Sequence, residues 1–302
     1  MSGLLALLDD VAALAKVAAA SLDDVAAQSL KAGTKAAGVV IDDAAVTPAY
    51  VTGFAAEREL SIVGRIALGS LRNKLLYLLP AALLLGAFAP WAITPMLMLG
   101  GAYLCYEAAE KILHAIRPAA THDAAVAVSE DARVSGAIKT DFILSAEIMA
   151  ITLETVADTS SWAQAIVLGG VGAVLTIIVY GAVALIVKAD DIGLALTGYR
   201  NRAVQAIGRG LVVGVPVLMK ILSIVGTAAM AWVGGGIILH GIAKLGWPTP
   251  YAMLHHVALS TGPAEWFVTA GVSGLLGVAI GALLIPAGSV IGRLRTPSLR
   301  GT

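Results

Sequence analysis

The stretch Ala163–Val187, AQAIVLGGVGAVLTIIVYGAVALIV, decides the fold. It runs for 25 residues without an acidic or basic side chain. At about 1.5 Å per residue a helix of that length reaches roughly 37 Å, enough to cross a hydrocarbon core of about 30 Å. Other uncharged runs flank it on both sides. Leu75–Ala89 and Trp91–Tyr106 are separated by Pro90, Ile221–Leu239 follows a single Lys220, and Trp266–Gly292 leads to a basic end. The composition agrees: 58% of the 302 residues are hydrophobic, 13% are charged and the mean hydropathy is +0.87. Soluble domains carry about a quarter charged residues, so the expectation is an all-α, polytopic membrane protein whose first partner is the lipid bilayer.

Twenty basic side chains balance twenty acidic ones, which gives no electrostatic reason to expect a nucleic-acid partner. A lone cysteine, Cys105, excludes an internal disulfide framework and a cysteine-based zinc site, and reads as a small buried apolar residue. The N-terminus, MSGLLALLDDVAALAK, lacks a basic leader and a cleavage site, and is expected to be retained and cytoplasmic.

Residues 1–73 carry charge too often for a span and are expected to form cytosolic amphipathic helices. LDDVAALAK at Leu8–Lys16 returns as LDDVAAQSLK at Leu22–Lys31, and this spacing of 14 keeps Asp9–Asp10 and Asp23–Asp24 on one helix face. Asp42–Asp43 forms a third pair. Solvated faces are the simple reading of these pairs, and a divalent-cation site is the alternative.

A weak internal repeat organises the remainder. Trp162 and Trp266 anchor a register of 104 that also pairs Met149 with Met253, while Pro80 falls on Pro216 and Gly100 on Gly236 at an offset of 136. Allowing a three-residue deletion, Glu107 falls on His240 and Lys111 on Lys244. The resulting division is a first membrane repeat at 74–190, a cytosolic connector at 191–210, a second repeat at 211–295 and a tail at 296–302. Each repeat would hold a Pro/Gly-interrupted hairpin, a short polar helix and a long helix. The hairpins would turn near Ala89-Pro90 and Gly226, and every connection bearing Lys or Arg would lie on the opposite side. By the positive-inside rule both termini are then cytoplasmic.

Charge inside apolar helices marks the candidate site, because a carboxylate near mid-bilayer costs about 2.5–3.5 kcal/mol on insertion scales and survives beside a partner or a water-filled cavity. Glu147 and Glu154 are seven residues apart on one helix face, Asp158 extends the stripe, and Ser145, Thr152 and Thr155 lie beside it. Lys220, isolated between apolar runs, is expected to pair with those glutamates. His255 and His256 point about 100° apart on a helix, which suits proton titration better than shared metal ligation. Glu107, Glu110 and Lys111 close the segment MLMLGGAYLCYEAAEK, with Glu107 either at the mouth of a path or paired with Lys111 at i, i+4. Small-residue spacings at Gly210–Gly214 and Gly277–Gly281 read as close helix packing.

The segment GSLRNKLLYLLPAALLLGAFAPWAITPMLMLGGAYLCYEAAEK, Gly69–Lys111, resembles the YedI-like family of bacterial inner-membrane proteins, whose function is uncharacterised. SGLLALLDD at Ser2–Asp10 and TDFILSAEI at Thr140–Ile148 extend the resemblance over most of the chain. The family carries glycine where this chain has Ala108. The resemblance implies a multi-pass protein of the bacterial inner membrane and adds no mechanism. The functional expectation is a transporter or channel for an ion or small polar solute, with no cofactor and with a homo-oligomer left open. The chain has no H-E-x-x-H, G-x-S-x-G or P-loop lysine motif, so an enzyme is not expected. A membrane scaffold and an enzyme acting on a lipid substrate are the alternatives.

Overall fold

The computed structural model describes residues 20, 23–33, 56–116 and 130–295, which are helical apart from short turns and have no strand. Asp9, Asp10, Asp42, Asp43 and the tail at 296–302 lie outside the described residues. Helix α1 covers 23–33, and α2, Ala56–Arg72, runs on through a π-helical segment, Asn73–Leu78, into α3, Leu79–Phe88. Then come α4 (Pro90–Ile116), α5 (Glu130–Thr155), α6 (Ser161–Thr197) and α7 (Arg202–Lys244). A short α8 (Thr249–Leu259) and a 3₁₀ turn lead to α9 (Glu265–Arg295).

The π-helical segment follows from Pro80. Proline has no N–H, and its ring presses on the carbonyl four residues earlier, so an ordinary α turn is obstructed there. The chain instead widens, and the Leu79 N–H donates to the Lys74 carbonyl five residues back. The expected turn at Ala89-Pro90 is present. Ala89 leaves helical geometry at φ −147° and ψ 57°, and Pro90 opens α4, where a missing N–H costs nothing.

Among the described residues four stretches are long and apolar enough to cross a membrane: Arg58–Phe88, Ser161–Thr197, Arg202–Lys244 and Glu265–Pro286. The chain is therefore an all-helical protein of membrane type. Its exterior agrees, since Leu99, Ile177, Leu275 and Leu283 are each more than 70% exposed, a surface that suits lipid better than water.

Direction follows from contacts. Arg58 and Arg65 at the start of α2 pair with Glu130 at the start of α5, and Glu154 at the end of α5 pairs with Lys244 at the end of α7. So α2–α3, α5 and α7 run one way. Helices α4, α6 and α9 return, with Gly101 against Gly234 and Gly277 against Ala231. We call the end that holds Arg58 and Glu130 the near end, and the end that holds Glu154 and Lys244 the far end.

The second half departs from the expected hairpin. Helix α7 is continuous for 43 residues through Pro216 and Gly226, because a membrane-type helix packed on neighbours tolerates an internal proline. Lys244 consequently stands at the far end instead of sharing a side with the other Lys- and Arg-bearing connections. Residues 191–210 are mostly helix, with α6 ending at Thr197 and α7 starting at Arg202. The expected boundary at residue 73 falls inside a continuous helical stretch. Trp162 and Trp266 are each the second residue of a long helix.

Helices α4, α7 and α9 meet through glycine. A methyl group on Gly281 would overlap the Cys105 carbonyl, and one on Gly277 the Ala231 carbonyl. Gly210 and Gly214 meet nothing within 4 Å, so of the two small-residue spacings only Gly277–Gly281 makes a close approach. Cys105 is fully buried at that junction.

Candidate functional site: a polar helix between two cavities

Helix α5 carries polar side chains along most of its length. At its near end Arg65 grips Glu130 and Asp131 at 2.9 and 2.6 Å. Ten residues on, the Thr140 hydroxyl donates to Glu107 Oε2 at 3.1 Å, and Glu107 Oε1 pairs with Lys111 at 3.1 Å. Glu107 therefore ties α4 to α5 while keeping its lysine partner. Glu110, one turn on, accepts a longer bond from the Tyr106 hydroxyl at 3.4 Å.

Next along α5 is the most enclosed charge pair of the described residues. Lys74 in the π-helical segment and Asp141 on α5 have side chains only 1% and 3% exposed, with Nζ 3.2 Å from Oδ1. Three hydroxyls complete the cluster. Lys74 donates to Ser70 Oγ at 2.6 Å, and Ser70 in turn donates to Asp141 Oδ1 at 2.9 Å. Tyr180 from α6 donates to the same oxygen at 2.9 Å, and Ser145 to Oδ2 at 3.2 Å. Gly172 packs beside the lysine stem, and a methyl there would sit 2.7 Å from Met149 Cε and in ordinary contact, 3.6 Å, with two of the lysine carbons. Removing water from both charges costs several kcal/mol each, and good geometry with extra hydrogen bonds is what offsets it.

Towards the far end, α5 enters a cavity of about 740 Å³ lined by Glu147, Glu154, Thr94, Gln164, His240 and Lys244, with apolar side chains between them. Glu154 and Lys244 form a half-exposed pair at 3.5 Å. Glu147 lies two turns deeper, about 10 Å along the helix. The two glutamates thus face one cavity, as their spacing predicts. Asp158 is exposed in the turn after α5 and does not line it.

Lys220 is elsewhere. The continuity of α7 puts it 24 residues from Lys244, roughly 36 Å away, so it cannot pair with Glu147 or Glu154. It lines a near-end cavity of about 420 Å³ with Glu59, Asp190 and Ser223. His255 and His256 are exposed on α8. His255 reaches the far-end cavity only through Tyr251, whose ring lies 6.2 Å from His255 and 5.3 Å from the cavity residue His240. Among the described residues no group of three or more His, Cys, Asp or Glu stands where it could hold a metal ion.

Counting uncharged runs misses the Lys74–Asp141 cluster, because the runs begin at Leu75 and Phe142, one residue past each charge. A usable signal exists in Ser70–Lys74 and Asp141–Ser145, two polar i, i+4 pairs at the mouths of apolar segments.

A bundle of long apolar helices, with one polar helix that lines a far-end cavity, defines a polytopic α-helical membrane protein. This chain belongs to the family described as "Protein of unknown function (DUF808)", which matches residues 2–287. No curated protein and no solved structure matches it.

Proposed function

We propose that the protein is a transporter or channel that carries an ion or small polar solute along α5. The far-end cavity carries this reading. It places Glu147 about 10 Å along α5 from the half-exposed Glu154–Lys244 pair, inside a largely apolar bundle, where insertion costs would remove a carboxylate without a task. The small residues that close α4, α7 and α9 on one another give a rigid wall against which such a path can open. The sequence carries no H-E-x-x-H, G-x-S-x-G or P-loop lysine motif, which favours transport over chemistry on a lipid. The far end carries Lys244 and, on α1, whose Ala32 is buried with Leu153, Val156 and Ala163, Lys31, whereas Arg58, Arg65, Lys188, Arg200, Arg202 and Arg209 gather at the near end. That asymmetry supports a near end facing the cytoplasm of a bacterial inner membrane.

Flux into proteoliposomes, measured for alkali cations, protons and a panel of small zwitterions and cations, tests the reading. Wild-type protein should exceed empty vesicles for at least one solute, and Glu147→Gln should lose most of that flux. Uptake equal to empty vesicles across the panel would refute it.

A further inference from the structure

The Lys74–Asp141 cluster lies between the near-end and far-end cavities, beside a third, apolar cavity of about 380 Å³ lined by Tyr77, Phe142, Ile143 and Met149. From Asp141 to Glu147 is six residues along α5, about 9 Å towards the far-end cavity. From Tyr180 to Val187 is seven residues along α6, about 10 Å towards the near-end one. Val187 lines that near-end cavity, as do Glu59 and Asp190. Ile62, Ile66 and Val183 are buried on the near side of the cluster, and Ile148 and Met149 on the far side. The pair is thus closed to both ends by apolar layers.

The atoms around Asp141 form a ready shell for a hard cation. Its two carboxylate oxygens and the hydroxyls of Ser70, Ser145 and Tyr180 supply five oxygens, and the hydroxyls stand 2.9–3.2 Å from the carboxylate. Oxygen-rich, carboxylate-centred sets are what hard cations take. Here the Lys74 ammonium stands at the edge of that set, 3.2 Å from Asp141 Oδ1 and 2.6 Å from Ser70 Oγ. We propose that Asp141 is a binding site for a monovalent alkali cation that replaces the Lys74 ammonium, with one proton released for each cation bound.

The exchange balances. Before binding, the pair is Lys74 ammonium and Asp141 carboxylate. Afterwards it is neutral Lys74 amine and carboxylate plus cation. One N–H bond of Lys74 breaks, its electron pair stays on nitrogen, and the proton leaves to water. No other bond changes, and the buried site stays neutral in both states, which avoids placing a net charge in the bilayer interior. Lys74 lies in the π-helical segment Asn73–Leu78, and such segments gather at functional sites.

Other charged groups on the surrounding elements have partners of their own. Arg65 pairs with Glu130 and Asp131, Glu107 with Lys111, and Lys188 with Asp191. Arg72 and Lys139 are exposed, and Glu147 lines the far-end cavity.

As a route for flux the inference rests on the transport reading; as a binding site it does not. The test uses the purified full-length protein in detergent, weakly buffered with a pH dye, titrated with NaCl, KCl or LiCl against tetramethylammonium chloride. Wild type should release about one proton per chain, saturably, with at least one of the three cations. Lys74→Gln should still bind that cation by calorimetry but release no proton, and Asp141→Asn should do neither. Tyr180→Phe and Ser145→Ala keep both charges and guard against failure to fold; each should raise the half-saturating cation concentration about tenfold, the loss of one hydrogen bond to a charged group. No saturable release from cooperatively folding wild type, or undiminished release from Lys74→Gln, overturns the proposal. Solute flux without cation-linked proton release leaves the transport reading standing and removes this site. Release without flux does the reverse.

Discussion

The far-end cavity and the Lys74–Asp141 cluster both place charge inside an apolar bundle, but in opposite ways. Around Glu147, Glu154 and Lys244 the charges line an open space and their ion pair is half exposed. At Lys74 and Asp141 the charges are sealed and held by a network of hydrogen bonds. An open pair is cheap to keep and cheap to lose, and a sealed pair is neither. The first arrangement suits a solute that comes and goes, the second a site whose occupancy changes only when the bundle moves.

The largest expected effect breaks the sealed pair. Lys74→Met or Asp141→Leu alone leaves one buried charge without its partner and should destabilise the protein by about 3–5 kcal/mol. The double variant Lys74→Met/Asp141→Leu should regain much of that loss, because no unpaired charge remains. Thermal unfolding in detergent reads both, and equal losses in the singles and the double would show that the two side chains are not coupled.

A comparison of glycines comes next. Gly277→Val forces side-chain carbons into the Ala231 carbonyl, and Gly281→Val into that of Cys105. Each should lower stability by about 1–3 kcal/mol, the usual range for overpacking. Gly214→Val meets open space and should leave the melting temperature within a degree or two of wild type. Matching losses at Gly214 and Gly277 would contradict the packing of α4, α7 and α9.

The smallest effect belongs to the open pair. Glu154→Gln or Lys244→Met should change stability by less than about 1 kcal/mol, as exposed ion pairs do. If these residues serve the cavity, flux should fall by far more than stability. Restoration of flux by the charge swap Glu154→Lys/Lys244→Glu would sharpen the assignment to a charge pair over a single carboxylate.

What the sequence makes legible follows the same divide. Glu147 and Glu154 interrupt an apolar helix at a spacing that puts them on one face, so they stand out without any knowledge of the neighbours. Lys74 and Asp141 border their apolar runs, and a charge at the end of a run looks like a helix emerging into water. Only the continuity of α2, the π-helical segment and α3 moves Lys74 inside. Lys220 shows the opposite error. It interrupts an apolar run as conspicuously as Glu147 does, yet α7 carries it to the near end. A turn near Gly226 would have brought it back, but nothing local to glycine and proline says whether neighbouring helices will hold the chain straight. The all-helical membrane class needed only run lengths and composition, whereas helix direction needed contacts such as Glu154 with Lys244.

The claim that α5 lines a solvent path from the far end is tested most directly by thiol accessibility. In a Cys105→Ala background, Glu147→Cys in sealed vesicles should react with a membrane-impermeant charged thiol reagent added to one face only, and Asp141→Cys should stay unreacted from either face. If Glu147→Cys stays unreacted from both faces in folded protein, or Asp141→Cys labels as fast as Glu147→Cys, the account of a cavity opening at the far end and closing above the buried pair is wrong.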